Sequence, residues 1–482
     1  PINPGTDLAF ILAMCNVLIR DGIYDKDYVA ENVEGFDEFA AGIADHTPLW
    51  AEGVCGISAE TIERLAHEFA QAAPAASIDA GWRGGFGNQY ANSGETARAL
   101  VIFNTLLGCW NQEGGALLTS GVSAGKLDET KFPPVPKVEA KKAGSEEYPL
   151  ASAGMGVNIH AASLAKEGKI KGMFFYNSNM VAGYSNPAYM QECLDALELC
   201  VVVDVQMSET ALCADYVLPE CSYLERLEIP VFNGGKVPSV SLRDKVLDVI
   251  HPNPLPVDQI FSGLAEACGV GQYFPFTVEE LADAQLKTVG LSLDELRKVG
   301  TVEFPEKAFV YGQTPKWKTP SGKIQFTSEA CEKAGYSAAP VWVAPAVVPA
   351  GGSQFRLITG KQAIHSHTMT ANCEALMSIT QDYDLTRVWL NADRAAELGI
   401  KDGDEVELSN EKFTGRCHVK VTQRLNPTAV FMPPAYGCSS KDQHTAYGVG
   451  LRPTDFMDYQ LERGYGSTMA HEVLVTVKKV GA

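Results

Sequence analysis

The sequence predicts an α/β fold, in which two α/β domains face a shared crevice and are followed by a C-terminal cap domain resembling a β barrel. A strand-like apolar run, a polar loop and a helical pattern occur within residues 72–110 and again within 170–204. From Phe355 onward, short β segments alternate with turns, as in a small barrel. We expect a first α/β domain at residues 1–118, a second at 119–225, an irregular connecting region with a linker at 226–345, and the cap at 346–482.

Composition and charge restrict the classes of partner. The 482 residues exceed the size of a single core. With 39 basic and 59 acidic residues, the formal charge of −20 argues against a nucleic-acid backbone or an anionic membrane as the main partner. We find no run of 18 apolar residues and no basic-then-apolar leader, so we expect neither a membrane span nor an export signal in this chain. The twelve cysteines include no Cys-x-x-Cys pair, which predicts buried thiols rather than disulfides or metal ligands.

The first α/β unit begins with helices. Residues 6–20 and 57–73 have helical apolar spacing, and Ser58 is a suitable N-cap for the second helix. The following stretch predicts a strand, a glycine-rich loop and a helix from about Gly94 to Gly108.

The glycine-rich loop "GWRGGFGN", residues 81–88, is the first candidate ligand site. Glycines let the backbone approach a ligand closely, and exposed N–H groups suit anionic or heteroaromatic acceptors. The glycine spacing differs from the dinucleotide fingerprint, and a plain surface turn is the alternative. The candidate binding residues are Trp82, Gly84, Gly85 and Asn88.

The second α/β unit follows a long polar excursion at residues 119–150. "IKGMFFYNSN" predicts a strand and a polar loop, "NPAYMQECLDALE" a helix, and "VVVD" a buried parallel strand that ends at Asp204. The first strand is followed by Asn177, Ser178 and Asn179. Polar groups at the carboxyl ends of neighbouring parallel strands meet where open α/β sheets bind ligands. A carboxylate there suits a ribose diol or the N–H pair of guanine, whereas simple Asx turns are the alternative for the asparagines.

The C-terminal part holds a further polar cluster. After a proline-rich linker, residues 339–353, the stretch "VWLNADRAAELGIKDGDEVELSN" predicts a short helix, a turn and an alternating strand. "LITGKQAIHSHTMTANC" is dense in polar side chains just after a strand and predicts phosphate or pterin contact through Thr359, Gly360, Lys361, His365, Ser366 and His367. Lys361 and the two histidines would suit a metal, but no third ligand has suitable spacing. Gly-x-Ser-x-Gly is absent, which gives hydrolase chemistry little support.

Taken in this order, the stretches resemble the molybdenum or tungsten bis-pterin oxidoreductases, the dimethyl sulfoxide reductase family. "NSGETARALVIFNTLLGCWNQEGGAL" resembles the helix and Gly-Gly turn beside one pterin. "VVVDVQMSETALCADYVLP" resembles the nucleotide-binding strand and loop, and "VWLNADRAAELGIKDGDEVEL" the cap domain. The resemblance covers nearly the whole chain. It implies that residues 1–118 bind pterin, 119–225 bind nucleotide, and 346–482 form the molybdopterin dinucleotide-binding cap around the cofactor crevice.

The resemblance also implies roles for particular residues. The expected cofactor is molybdenum or tungsten held by two molybdopterin guanine dinucleotides. In the family, the Asp and the residue four places later contact a guanosine, which here means Asp204 and Ser208, with Thr210 and Asp215 as further candidates in that loop. Arg83 is the candidate for holding an anionic substrate, because a guanidinium stays charged and donates two parallel hydrogen bonds. A structural salt bridge is the alternative role for Arg83.

The family's iron–sulfur segment and metal-ligating residue would both lie before Pro1. We therefore expect a C-terminal fragment of a catalytic subunit, inactive alone, with an iron–sulfur cluster only in the missing N-terminal part. The resemblance implies a small-molecule substrate, an iron–sulfur electron-transfer subunit and a membrane anchor subunit as partners, and a periplasmic or outer-face location in a prokaryote. No nucleic acid is expected.

Within the family, "GWRGGFGNQYANS" and "YGSTMAHEVLVTV" most resemble the polysulfide, thiosulfate and tetrathionate reductases. The expected function is two-electron reduction of such a sulfur compound or of an oxyanion. "PAYG", residues 434–437, departs from the His-Gly-Phe-Gly that many of that branch show, so arsenate or another oxyanion remains an alternative substrate. A non-redox hydratase or transhydroxylase, and a non-catalytic scaffold like the large peripheral-arm subunit of respiratory complex I, remain alternative functions.

Overall fold

A computed structural model describes residues 1–79, 89–151 and 156–481 of the chain. These residues form a mixed α/β structure with a closed six-stranded β barrel in the C-terminal part, which confirms the predicted fold class. Within the described part of the chain, no helix has both the length and the apolar character that crossing a membrane requires. All twelve cysteines lie in described residues and are free thiols.

The helices and strands are described by their bounds. The α-helices are Asp7–Arg20, Lys26–Asn32, Phe36–Gly42, Pro48–Cys55, Ala59–Ala72, Ser93–Leu106, Asn158–Lys166, Met180–Gly183, Pro187–Asp195, Val257–Ala267, Val278–Leu286, Leu293–Val299, Glu329–Lys333, Glu374–Asp382 and Ala392–Glu397. The strands are β1 Val33–Glu34, β2 Gly172–Tyr176, β3 Leu199–Asp204, β4 Tyr216–Pro219, β5 Val231–Asn233, β6 Ser239–Ser241, β7 Thr301–Glu303, β8 Ile324–Gln325, β9 Gln354–Thr359, β10 Val388–Asn391, β11 Glu405–Ser409, β12 Thr414–Thr422, β13 Ala429–Met432 and β14 Leu474–Lys479.

The N-terminal part is built around the helix Asp7–Arg20. Its residues from Leu8 to Leu18 are nearly all buried, and it packs against the helices Pro48–Cys55, Ala59–Ala72 and Ser93–Leu106. The three helices predicted in this part are confirmed. Ser58 caps the second of them as expected, since its hydroxyl accepts the N–H of Thr61 at 3.3 Å.

The strand predicted ahead of the glycine-rich loop is wrong over its described residues, because residues 73–79 contain no strand. The Ile78 N–H donates to Oδ1 of Asn104 at 2.9 Å, and the Ile78 carbonyl accepts from Nδ2 of Asn104 at 2.7 Å. A side-chain amide thus satisfies both backbone groups that a neighbouring strand would bond. The segment docks on the helix Ser93–Leu106 without joining a sheet.

A three-stranded parallel sheet follows, in the order β2-β3-β4. Val202 and Val203 of the central strand are buried, as expected for a parallel strand covered on both faces. The helices Asn158–Lys166 and Pro187–Asp195 pack together beside β2 and β3 in one hydrophobic core. The predicted strand, helix and strand of this unit are confirmed.

The C-terminal barrel has the strand order β10-β12-β11-β14-β9-β13 and is closed. Strand β9 pairs with β13 in parallel and with β14 in antiparallel orientation. Alternate residues such as Phe355, Leu357 and Leu390 fill the interior. The predicted short helix and alternating strand correspond to Ala392–Glu397 and β11.

Candidate functional site

One edge of the candidate site is the carboxyl end of the parallel sheet. Strands β2 and β3 run in the same direction, with Tyr176 opposite Val203. Residues 177–179 follow β2, and Asp204 is the last residue of β3. These predicted polar side chains therefore leave the sheet at the same edge, where open α/β sheets bind ligands.

Asp204 organises the loop that follows it. Its Oδ1 accepts the N–H of Val205 at 2.7 Å, and its Oδ2 accepts the hydroxyl of Ser208 at 2.8 Å. The N–H of Gln206 lies 3.4 Å from Oδ1. A carboxylate offers about four acceptor positions. The half-buried Asp204 side chain therefore retains acceptor capacity, whereas Ser208 is buried.

Asn179 and Thr210 hold the two loops of this edge together. Oδ1 of Asn179 accepts the N–H and the hydroxyl of Thr210 at 3.2 and 3.0 Å. Oγ1 of Thr210 accepts the N–H of Val181 at 3.0 Å. Asn179 also caps the helix Met180–Gly183, because Oδ1 accepts the Ala182 N–H at 3.4 Å. Both side chains therefore shape the edge through internal hydrogen bonds.

The remaining predicted residues of this edge differ in exposure. Asn177 is exposed, with a left-handed φ of 51°, and Ser178 is half-buried. Asp215 is exposed, and its Oδ2 accepts the N–H of Cys200 at 2.7 Å. Asp215 therefore ties the chain entering β4 to β3.

The other edge of the site belongs to the barrel. Strands β9 and β13 are parallel, with Thr359 opposite Met432, so residues 360–367 and 433–440 leave the barrel at the same edge. Oγ1 of Thr359 is buried and has no hydrogen-bond partner within the described residues. The predicted residues that are exposed on this edge are Gly360, Lys361, Ser366 and His367.

His365 is instead buried and fully engaged. Its Nε2 lies 2.7 Å from Oγ1 of Thr380, its Nδ1 lies 3.3 Å from Oγ1 of Thr370, and its ring packs edge-on against Tyr436. Burial lowers the pKa of His365, so the imidazole is neutral at pH 7. Across residues 1–79, 89–151 and 156–481, no group of three His, Cys, Asp or Glu side chains is arranged to hold a metal ion.

Glu209 joins the two edges and is not among the site residues predicted from the sequence. Its Oε2 accepts from Nδ2 of Asn179 at 2.8 Å, and its Oε1 accepts the N–H of Ser439 at 2.9 Å. Nη1 of Arg452 lies 3.6 Å from Oε1. Nδ2 of Asn179 also lies 3.4 Å from Oγ1 of Thr368, so the sheet edge and the barrel edge are in contact. The sequence feature that indicates a role for Glu209 is its position, since it is the acidic residue between Ser208 and Thr210 in the polar turn after a buried strand.

Glu209 is ionised despite being buried. Burial raises the pKa of this carboxyl, but hydrogen bonds from Asn179 and Ser439 and the charge of Arg452 outweigh that effect and leave the pKa below its ordinary value. The contact between the two edges is therefore charged at neutral pH.

A second junction lies where the chain leaves the glycine-rich loop. The carbonyl of Gln89 accepts the N–H of His471 at 3.1 Å, and the rings of Tyr90 and His471 lie 5.4 Å apart. The N–H of Ala91 donates to Oε1 of Glu472 at 3.0 Å. The terminal "YGSTMAHEVLVTV" stretch thus contacts the residues that follow the loop. The predicted residues Trp82, Arg83, Gly84, Gly85 and Asn88 lie outside the described residues.

Two protein-family models together match most of the chain. The model described as molybdopterin oxidoreductase matches residues 1–249, which is more than half of the chain. The model described as molydopterin dinucleotide binding domain matches residues 355–457, which include β9 through β13 and both barrel segments of the site.

Individual proteins are also similar to this chain over most of its length. The thiosulfate reductase molybdopterin-containing subunit PhsA of Salmonella typhimurium is 29% identical over 99% of this chain and 67% of its own length. The dimethyl sulfoxide/trimethylamine N-oxide reductase of Cereibacter sphaeroides is 27% identical over 89% of this chain and 58% of its own length. Acetylene hydratase from Pelobacter acetylenicus shares the fold, with a TM-score of 0.78 and 19% identity over 99% of this chain and 71% of that chain.

Proposed function

Because this chain belongs to the molybdopterin oxidoreductase family, we propose that it forms the dinucleotide-binding core of an enzyme that reduces a small sulfur compound by two electrons. Polysulfide, thiosulfate and tetrathionate are the proposed substrates. The supporting observation is the similarity to PhsA, which extends over 99% of the chain. Family membership itself implies a molybdenum or tungsten pterin cofactor. When bound, such a cofactor supplies the redox and atom-transfer chemistry, while the protein orients the reactants and sets the electrostatics.

The described residues have donors and acceptors that fit the proposed cofactor. The half-buried Asp204 carboxylate has about one unfilled acceptor position, on Oδ2 at the carboxyl end of β3, which suits an N–H group of a guanine edge. The buried hydroxyl of Thr359 has no partner within the described residues, and Lys361 is exposed two residues later. A hydroxyl and an ammonium group suit phosphate or pterin oxygens. We therefore propose that the loops after β3 and β9 both belong to the cofactor-binding site. We also propose that the enzyme binds two molybdopterin guanine dinucleotides.

The proposed role of Arg83 is to hold the anionic substrate. It follows from the glycine-rich loop in which this side chain lies and from the strongly acidic balance of the chain. Arg83→Lys keeps the charge but loses the planar fork of donors. In the full-length enzyme we expect turnover to fall about tenfold or more, with unchanged metal and pterin content. Unchanged kinetics would remove Arg83 from the substrate site.

The function is tested on the full-length protein, purified without oxygen. Metal and guanosine content are measured first, because a non-catalytic scaffold would contain neither molybdenum nor tungsten. Oxidation of a reduced viologen dye is then followed with thiosulfate, tetrathionate or polysulfide, and with arsenate as the competing substrate. Turnover that needs no electron donor would instead indicate a hydratase or transhydroxylase, and turnover of arsenate alone an oxyanion reductase.

The wider assembly is part of the same proposal. PhsA is named as a subunit, and by that similarity we propose an iron–sulfur electron-transfer subunit and a membrane anchor subunit as partners. Co-purification of tagged full-length protein from its own host, followed by iron analysis of the complex, tests both partners.

A further inference from the structure

The loop that carries the proposed nucleotide contacts is attached to the barrel at two neighbouring positions. At the first, Glu209 accepts from Asn179 and from the Ser439 N–H. At the second, the carbonyl of Met207 accepts the hydroxyl of Ser440 at 2.6 Å and Nε2 of Gln443 at 3.2 Å. Glu209, Ser440 and Gln443 are each at most 5% exposed, so water competes little for these bonds.

The attached residues flank Ser208. Ser208 lies between Met207 and Glu209, and its hydroxyl donates to Oδ2 of Asp204. The same hydroxyl oxygen accepts the N–H of Ala211 at 3.3 Å. Fixing residues 207 and 209 to the barrel therefore fixes the direction in which the Asp204 carboxylate points.

The cationic partner of Glu209 is Arg452, which lies 3.6 Å away and donates no hydrogen bond to it. Arg452 makes its hydrogen bonds to Asp455, through Nε and Nη2 at 3.0 and 2.8 Å. Its Nη1 is buried without a hydrogen-bond partner in the described part of the chain and faces Glu209 at 3.6 Å. The carboxylate is thus held by one amide group, one backbone N–H and a buried charge contact with Arg452, and the last two of these come from the barrel side.

We propose that Glu209 is a positioning residue for dinucleotide binding, which holds the loop at residues 205–210 closed against the barrel and so slows release of the cofactor. The proposal rests on the proposed function, because it takes a guanine dinucleotide as the ligand of Asp204. Glu209 itself does not contact the ligand in this proposal. Its effect is on the rate of cofactor loss, through the orientation of Asp204 and Ser208.

The test uses loaded full-length enzyme and measures the first-order loss of molybdenum or tungsten and of guanosine after dilution and repeated desalting. Glu209→Gln keeps the shape of the side chain. Its amide replaces one carboxylate oxygen, which accepts a hydrogen bond, with an NH2 group that would face another donor. Losing one charged hydrogen bond of about 1.5–3 kcal/mol corresponds to a loss rate raised roughly 10- to 150-fold. Ser440→Ala, which leaves Gln443 on the Met207 carbonyl, should raise the rate by a factor of about 3 to 10.

Thr454→Val is the matched control. The Thr454 hydroxyl donates to the carbonyl of Ala182 at 2.9 Å, another bond between the same two parts of the chain but outside residues 205–210. The rate at which the Thr454→Val variant loses cofactor should stay within about twofold of the parent rate, since no hydrogen bond of the loop at residues 205–210 is changed.

Hydrogen exchange on the cofactor-free proteins provides a second readout. In Glu209→Gln, the amides at residues 205–210 should exchange faster, while those of β9 and β13 keep the parent rate. A parent enzyme without metal or guanosine would defeat the proposed function itself. A loaded parent whose Glu209→Gln and Ser440→Ala variants lose cofactor at the parent rate, or no faster than Thr454→Val, would overturn only the role of Glu209.

Discussion

Two buried carboxylates connect the barrel to the rest of the chain, and their partners differ. Glu472 accepts four hydrogen bonds: from the N–H groups of Ala91, Ala346 and Val347 at 2.9 to 3.2 Å, and from Nη1 of Arg356 at 2.9 Å. Arg356 is also buried, and it donates to the carbonyl of His471 as well. Glu209 in contrast receives bonds from neutral donors, with its arginine 3.6 Å away.

The difference lies in which part of the chain supplies the cation: Arg356 belongs to the barrel, as Glu472 does, whereas Arg452 faces Glu209 from the opposite side of the junction. At Glu472 both oxygens are saturated and the ion pair is close, but Arg356 and Glu472 both belong to the barrel, so only the bond from the Ala91 N–H reaches the N-terminal part of the chain. At Glu209 the bond from the Ser439 N–H and the buried ion pair with Arg452 both cross from the sheet edge to the barrel side, so separation there would cost a hydrogen bond and a charge contact. The first junction lies beside the residues that follow the glycine-rich loop, and the second beside the proposed nucleotide loop.

The largest expected effect is at Glu472. Glu472→Ala leaves Arg356 buried without its carboxylate and frees three backbone N–H groups, so the free energy of unfolding should fall by about 3–5 kcal/mol. Denaturant unfolding measures it. The control is Glu407→Ala, which removes a half-buried barrel carboxylate 3.2 Å from the exposed Arg416 and should cost less than about 1 kcal/mol. Equal losses in the two variants would remove the distinction between the junctions.

The local sequence predicted the elements on which this comparison depends, but not their partners. The buried run ending at Asp204 and the polar residues after β2 were readable because strand patterns and strand ends are local features. Glu209 and Glu472 were not identified, because their partners lie 30 to 381 residues away along the chain. The same limit explains the wrong strand before the glycine-rich loop, where Asn104 satisfies the backbone of Ile78.

His365 shows that a polar residue predicted to contact a ligand can instead point into the protein interior. A cluster of Thr, Lys, Ser and His after a strand is typical of a ligand site, and local sequence does not reveal which side chains turn inward. His365 turns inward to Thr380 and Thr370, whereas Lys361 and His367 are exposed. Its role as a cofactor contact stays a prediction, and the buried position favours supporting the loop.

The second prediction tests whether the loop held by Glu209 contributes to cofactor binding. Asp204→Ala removes the proposed guanine acceptor, so cofactor affinity in the full-length enzyme should fall by about 1.5–3 kcal/mol, or roughly tenfold or more. The melting temperature of the cofactor-free protein should change much less. Asp128→Ala is the matched control, because the exposed Asp128 also accepts hydrogen bonds within its own turn, from Thr130. Equal metal and guanosine content in Asp204→Ala and the parent would contradict the assignment.

The third prediction concerns Glu95, a buried carboxylate near the Glu472 junction, four residues after Ala91. Burial raises the pKa of Glu95 to about 7, against the smaller opposing effect of Arg98 at 3.0 Å. The folded protein therefore keeps a proton that the unfolded chain loses near pH 4.5, and stability falls as pH rises from about 4.5 to 7. Glu95→Gln cannot ionise. Its free energy of unfolding relative to the parent should rise by about 1–3 kcal/mol between pH 5 and pH 8. Denaturant unfolding at both pH values measures the change, and parallel pH profiles would show that Glu95 is not buried in this way.

The smallest effect is expected on the barrel side of the Glu209 junction. Ala435 lies four residues before Ser439 and has a φ of 76°, a left-handed conformation that costs a residue with a Cβ about 1–2 kcal/mol. Ala435→Gly relieves that strain but makes the unfolded chain more flexible, which offsets roughly 0.4–1 kcal/mol of the gain. We expect a net stabilisation of about 0.5–1 kcal/mol in denaturant unfolding. Ala396→Gly, in the helix Ala392–Glu397, is the control and should destabilise by about 1 kcal/mol, since helical φ values favour alanine. If Ala435→Gly destabilised the protein as much as Ala396→Gly, the segment leading to Ser439 would carry no strain.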